Sequence, residues 1–115
     1  MTVTRKIPAT FFRQSSGDEP VRDWLISLDK ADRQTMGEDI AYVQYKWPIG
    51  KPIVDHLRGP IWEVRSKIGN RIARVLFAVD DSEMFLLHGF IKKTQKTNPA
   101  DIELAIKRLK EWKND

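Results

Sequence analysis

The stretch "IWEVRSKIGNRIARVLFAV", residues 61–79, decides how this chain folds. In its first half Trp62, Val64 and Ile68 fall on one side, with Glu63, Arg65 and Lys67 on the other. A period of two marks a strand with one dry and one polar face. Gly69-Asn70 favours the tight turn of a hairpin, and "RIARVLFAV", residues 71–79, is the returning strand. "DDSE", residues 80–83, is a second tight turn, and "MFLLHGFIK", residues 84–92, a third strand. Its near-continuous apolarity suits an interior strand covered on both faces. The three form an antiparallel meander.

Working outward, "RKIPATFF" (5–12) reads as a first strand, and Pro8 places it at a sheet edge or a bulge. "SSGDEP" (15–20) is a turn in which Asp18 can cap a helix. Val21, Trp24, Leu25 and Leu28 then recur at helical spacing. Asp29 can cap a second helix with Met36, Ile40, Val43 and Trp47 on its buried stripe, and Pro48 ends it. "PIGKPIVDHLRGP" (48–60) reads as loop. After the meander, Asn98-Pro99 opens a last helix, with Asn98 as cap and an apolar stripe of Ile102, Ala105, Ile106, Leu109 and Trp112. The expected order is β-α-α-β-β-β-α, an α+β fold in one domain spanning 1–115.

Composition narrows the function. There is no cysteine, so disulfides and thiolate metal sites are excluded. No apolar run is long enough for a membrane span, and "MTVTRKIPATFF" lacks the apolar core of a signal peptide; a cytoplasmic protein with no membrane partner is the expectation. The net charge is +4. Residues 1–57 carry eight basic and eight acidic residues, and residues 58–115 carry twelve and eight. All the excess lies in the second half, which suits a polyanion such as nucleic acid, with solubility alone as the competing explanation.

Alternation puts Arg65 and Lys67 on one side of a strand. Arg71 and Arg74 lie across the turn, and the next strand ends in Lys92 and Lys93, followed by Lys96. Pairing in order lets these side chains converge on one surface able to neutralise phosphates. A solvated face with an edge guarded by lysines is the competing reading. Arg74 sits inside an apolar strand, so it must reach a concave surface or pair with an acid such as Glu63. His88 reads as a core histidine, His56 as a loop residue, and Tyr42 and Tyr45 as packing or rim residues. The four tryptophans read as core. No histidines and acids have metal-ligand spacing, no serine, histidine and aspartate set stands out, and no Gly-rich phosphate loop is present. No metal or cofactor is expected.

"LRGPIWEVRS" (57–66), "RIARVLFAV" (71–79) and "LLHGFIKKTQKTNPADIELAIKRLKEW" (86–112) closely resemble the HigB-like branch of the RelE/ParE toxin superfamily, including its phage-derived members. The likeness covers roughly residues 53–113, and Asn98 lengthens the usual threonine-to-proline step by one residue. The resemblance implies a RelE-like fold and the toxin of a type II toxin–antitoxin pair. Its implied partners are a helix-turn-helix antitoxin, in a hetero-oligomer, and the ribosome with its mRNA. The implied activity is mRNA endonuclease cleavage by attack of the 2′-hydroxyl on the adjacent phosphate, which needs positive charge on the transition state and groups to move protons. Arg65, Arg74 and Lys93 fall on positions implicated in catalysis, with Lys67, Arg71, Lys92 and Lys96 as RNA-binding residues around them. Glu63 stands where RelE itself has a lysine. The tyrosine of RelE has no counterpart after Lys93, which leaves His88 or a lysine as the proton carrier. ParE-like relatives inhibit DNA gyrase instead, and a binding module without catalysis is a third reading.

Overall fold

The computed structural model describes residues 6–92 and 96–114. Its elements are β1 (Ala9–Phe11), α1 (Pro20–Ser27), α2 (Lys30–Lys46), β2 (Val54–Arg58), β3 (Ile61–Ile68), β4 (Arg71–Asp80), β5 (Glu83–Lys92) and α3 (Pro99–Lys113). The α+β reading holds, with one strand more than expected. The sheet runs β1-β5-β4-β3-β2; β1 is parallel to β5 and every other pair is antiparallel. β1 lies at an edge, as Pro8 suggested. β4 lies at the centre, and its residues 72–78 are all buried. The added strand, β2, falls in the segment read as loop. It has five residues between Pro52 and Pro60, with a register shift between His56 and Arg58, too short for alternation to declare itself.

The turns follow from residue type. Gly69 takes φ 65°, which suits a residue without a Cβ. α2 stops at Lys46, ahead of Pro48. The side chain of Asn98 accepts a bond from the Ala100 amide at 3.2 Å, and Pro99 opens α3. α1 starts at Pro20 with Glu19 in the cap position; Asp18 instead accepts a bond from the Ser16 hydroxyl.

Each sheet face has its own apolar layer. On one, Val21, Met36, Ile40 and Val43 of α1 and α2 pack on Val64, Val75, Phe77, Met84 and Leu86. Trp47 meets Trp62 and Phe77 edge to face, at 5.1 and 5.5 Å between ring centroids. On the other, Ala105 and Leu109 of α3 pack with Phe12, Ile61, Leu76, Ala78 and Leu87. The four tryptophans belong to these layers, as read from the sequence. No helix among the described residues is long and apolar enough to cross a membrane.

One irregularity positions the site. Leu76 pairs with His88, but Phe77 pairs with Leu86, so β5 carries an extra residue between them. Strict alternation would put His88 on the α1/α2 face beside Leu86. The bulge turns it to the α3 face. Gly89 then faces the helices, where an added Cβ would lie 2.3 Å from Cε3 of Trp24. The indole therefore rests on bare backbone. Gly89→Ala should destabilise the fold by about 1–3 kcal/mol through overpacking, read as a lower urea midpoint at unchanged m-value. A midpoint equal to the parent's would show that the ring does not pack there.

Candidate functional site

β3, β4 and β5 each send polar side chains to the face that α3 only partly covers. Arg65 of β3 is directly paired in register with Arg74 of β4. Arg74 and Glu63 have no exposed area, and Thr97, just before α3, is only 6% exposed. These three are bonded in series. The Arg74 guanidinium donates to the Thr97 hydroxyl at 2.8 Å, and that hydroxyl donates to Oε2 of Glu63. Arg74 Nη1 also lies 4.0 Å from Glu63 Oε2. The other carboxylate oxygen of Glu63 accepts from Nε of Arg65 at 2.5 Å, and Arg65 lies 3.9 Å from Asp55 of β2. A polar ladder thus runs across the sheet from β2 to the start of α3. Burial pulls the Arg74 pKa down; the nearby Glu63 carboxylate raises it, the Arg65 cation lowers it, and Asp101 raises it, with a net downward shift. The ion pair considered for Arg74 from sequence is therefore present, beneath the surface rather than on it.

A second cluster lies alongside. Asp101, in the first turn of α3, bonds Nε2 of His88 at 2.8 Å and accepts from Nζ of Lys92 at 2.5 Å. Burial holds the His88 pKa below its ordinary 6.5, and it outweighs the opposing bond and charge of Asp101; the Arg108 and Lys92 cations add to the lowering. Burial alone would raise the Asp101 pKa, but the bonds from Lys92 and His88 reverse that and hold it below its ordinary value. A neutral imidazole held by a carboxylate has the form of a proton acceptor. The ring also lies against Phe90, 4.9 Å between centroids.

The residues singled out from sequence are divided by this geometry. Arg65, Lys67, Arg74 and Lys92 share the α3 face. Arg71 does not: it pairs in register with Ile68 and lies 3.5 Å from Asp32 of α2, on the far side of the sheet. Lys96 is exposed. Lys93 lies outside the described residues. His56 bonds the Gly59 carbonyl at 2.7 Å and stacks on Trp62, away from the ladder. Tyr42 and Tyr45 are exposed on α2. Sequence reasoning did not assign Thr97, Asp101 or Asp55 to the site. Asp101 is an acid in the first turn of α3, and its distance in sequence from His88 gives no sign of contact. Beside Arg65 a cleft opens, lined by Pro52, Ile53, Arg65, Lys67 and Ile72. Another hollow, lined by Thr10, Phe11, Arg13, Gln14, Glu19 and Trp112, lies at the β1 edge, remote from these groups. Among the described residues no three His, Asp or Glu side chains converge as metal ligands would.

Residues 23–110 match the protein family described as "Phage derived protein Gp49-like (DUF891)". No curated protein matches the chain.

Two outcomes test this geometry. Arg74→Met leaves the buried Glu63 with one of its two cations gone, which should cost about 3–5 kcal/mol, toward the lower end because Arg65 still holds one carboxylate oxygen. Adding Glu63→Leu should recover much of that loss in urea unfolding. A single variant as stable as the parent would disprove the buried pair. The second outcome concerns pH. With the folded His88 pKa below the unfolded one, the unfolded chain binds more protons between the two. Stability should therefore fall as pH drops through about 6.5 and level off below the folded value. His88→Gln should flatten the melting-temperature profile from about pH 7.5 to about pH 5, a window above the titration of Asp101.

Proposed function

The chain belongs to the Gp49-like family of phage-derived proteins, within the RelE/HigB-like toxin superfamily and associated with toxin–antitoxin toxins. From that premise we propose that it is the toxin of a type II pair, acting in the cytoplasm, which cleaves mRNA on the ribosome and is held inactive by a helix-turn-helix antitoxin. The observation that supports this reading is the meeting of Arg65, at the surface, with the buried Glu63–Thr97–Arg74 series and the Asp101–His88–Lys92 cluster on one sheet face. Arg65, a quarter exposed, contacts the scissile phosphate and the charge that builds on it. Arg74 acts as a positioning residue: it fixes Glu63, and Glu63 fixes Arg65. His88 takes the proton of the attacking 2′-hydroxyl on Nδ1 while Asp101 holds Nε2. The P–O5′ bond breaks as Lys93 protonates the leaving oxygen, giving a 2′,3′-cyclic phosphate. Lys67, Lys92 and Lys96 bind the flanking backbone.

The ParE-like reading has one specific observation in its favour. Several cations on this face already have carboxylate partners: Arg65 with Glu63 and Asp55, Lys92 with Asp101. The surface is less positive than the residue count suggests, which suits a protein target better than a phosphate backbone. Pulse labelling after induction without an antitoxin separates the two. Loss of amino-acid incorporation before loss of DNA synthesis is expected, and the reverse order would favour gyrase. Arg65→Ala should reduce mRNA cleavage on purified ribosomes by ~10²-fold, as for a lost transition-state donor; the melting temperature should fall too, because the buried Glu63 loses the guanidinium 2.5 Å away, so cleavage is scored well below the unfolding range.

A further inference from the structure

The cleft beside Arg65 has a composition the polar ladder does not use. Aliphatic side chains flank it on both sides, Ile72 from β4 and Pro52 and Ile53 from the stretch before β2, and Arg65 and Lys67 of β3 stand between them. We propose that it is a nucleotide subsite, in which a base of single-stranded RNA lies against the aliphatic side chains and its phosphate bridges Arg65 and Lys67.

The parts are held in place by the sheet. Lys67 pairs in register with Ile72, so the cation and the apolar side chain stand side by side on one face. The Ile53 carbonyl accepts the Arg65 amide at 3.0 Å, which fixes the Ile53 side of the cleft to β3, across from Ile72. A pre-formed wall spares a ligand the ordering that a mobile one would require. Arg65 and Lys67 are two residues apart on one strand, about 7 Å between Cα atoms, a spacing at which one phosphate can accept from both. Lys67 is exposed and makes no ion pair among the described residues. The space is about 520 Å³, within the size range of small-ligand sites. A free phosphate would use the cations and leave the aliphatic side chains wet; a base covers them. The lining side chains include no amide or hydroxyl to read a base edge. The subsite should therefore take any base, with purines favoured roughly three- to five-fold for their larger apolar face.

This subsite rests on the ribonuclease reading for its RNA ligand, but it can be tested without ribosomes. Protein labelled on isoleucine methyls is titrated with adenosine 3′,5′-bisphosphate, uridine 3′,5′-bisphosphate, inorganic phosphate and a glutamate-rich peptide. The expected result is a ring-current shift of the Ile53 and Ile72 methyls with both bisphosphates, tighter for adenosine and absent with phosphate alone. Lys67→Ala should weaken both bisphosphates, and Ile53→Ala should weaken adenosine more than uridine. No methyl shift at millimolar nucleotide, the same shift with phosphate alone, or tighter binding of the peptide than of either nucleotide would overturn the proposal. Ribosomal mRNA cleavage is scored separately. Nucleotide binding by a protein that cuts no mRNA supports the subsite and sinks the nuclease; cleavage without methyl shifts sinks the subsite alone.

Discussion

A carboxylate and a guanidinium with no access to water sit together in the middle of the sheet, joined by one hydroxyl. Glu63 and Arg74 would each be prohibitively costly to bury alone. Their burial is met by the Thr97 hydroxyl placed between them, with Arg65 on the other carboxylate oxygen. Asn98 and Pro99 follow immediately, so the start of α3 is set by the same requirement. The position of α3 then decides how much of the sheet it covers with Ala105 and Leu109, and where Asp101 reaches back to His88 and Lys92. The buried series is thus the joint between the sheet and its second layer.

The charges of this face are arranged in pairs and chains more than as an open field. Carboxylates occupy the spaces between the cations, and the bonds they make fix side chains that would otherwise sample many rotamers. Such a surface offers an incoming phosphate a defined guanidinium rather than a diffuse attraction. It also explains why a count of basic residues overstates what the surface presents. Twelve basic residues in the second half of the chain set an expectation, but the structure commits Arg71 to α2 and Lys113 to Asp80.

The meander was legible because its signals are local: alternation in residues 61–68, a Gly-Asn turn, and a long apolar third strand. The α+β class and the last helix followed from equally local caps and stripes. β2 was not legible, since five residues between prolines carry too few alternations to count. Arg71 was assigned to the wrong face although parity was available: residues 71 and 74 differ by three, and an odd step in a strand reverses the side. The face of His88 was hidden for the opposite reason. Parity alone points the wrong way there, because the bulge in β5 inserts a residue that no propensity announces. Thr97 and Asp101 were invisible as site residues because their partners lie 34 and 13 positions away, in other elements. Long-range pairing of polar groups has no period to detect.

The bulge in β5 and the segment that follows it also bear on the order in which the protein comes into being. Thr97 and Asp101 lie after every strand in the chain, whereas Glu63, Arg74 and His88 lie within the sheet. During synthesis the hairpin of β3 and β4 can pair as soon as it emerges, since its contacts are local. At that stage the carboxylate and the guanidinium have each other but no hydroxyl between them, and the imidazole has no acid to hold it. Arg65 then leans on a Glu63 that is still loosely placed. A nascent chain is therefore folded in outline before it is competent in chemistry, and competence arrives in one step, when the turn into α3 is made.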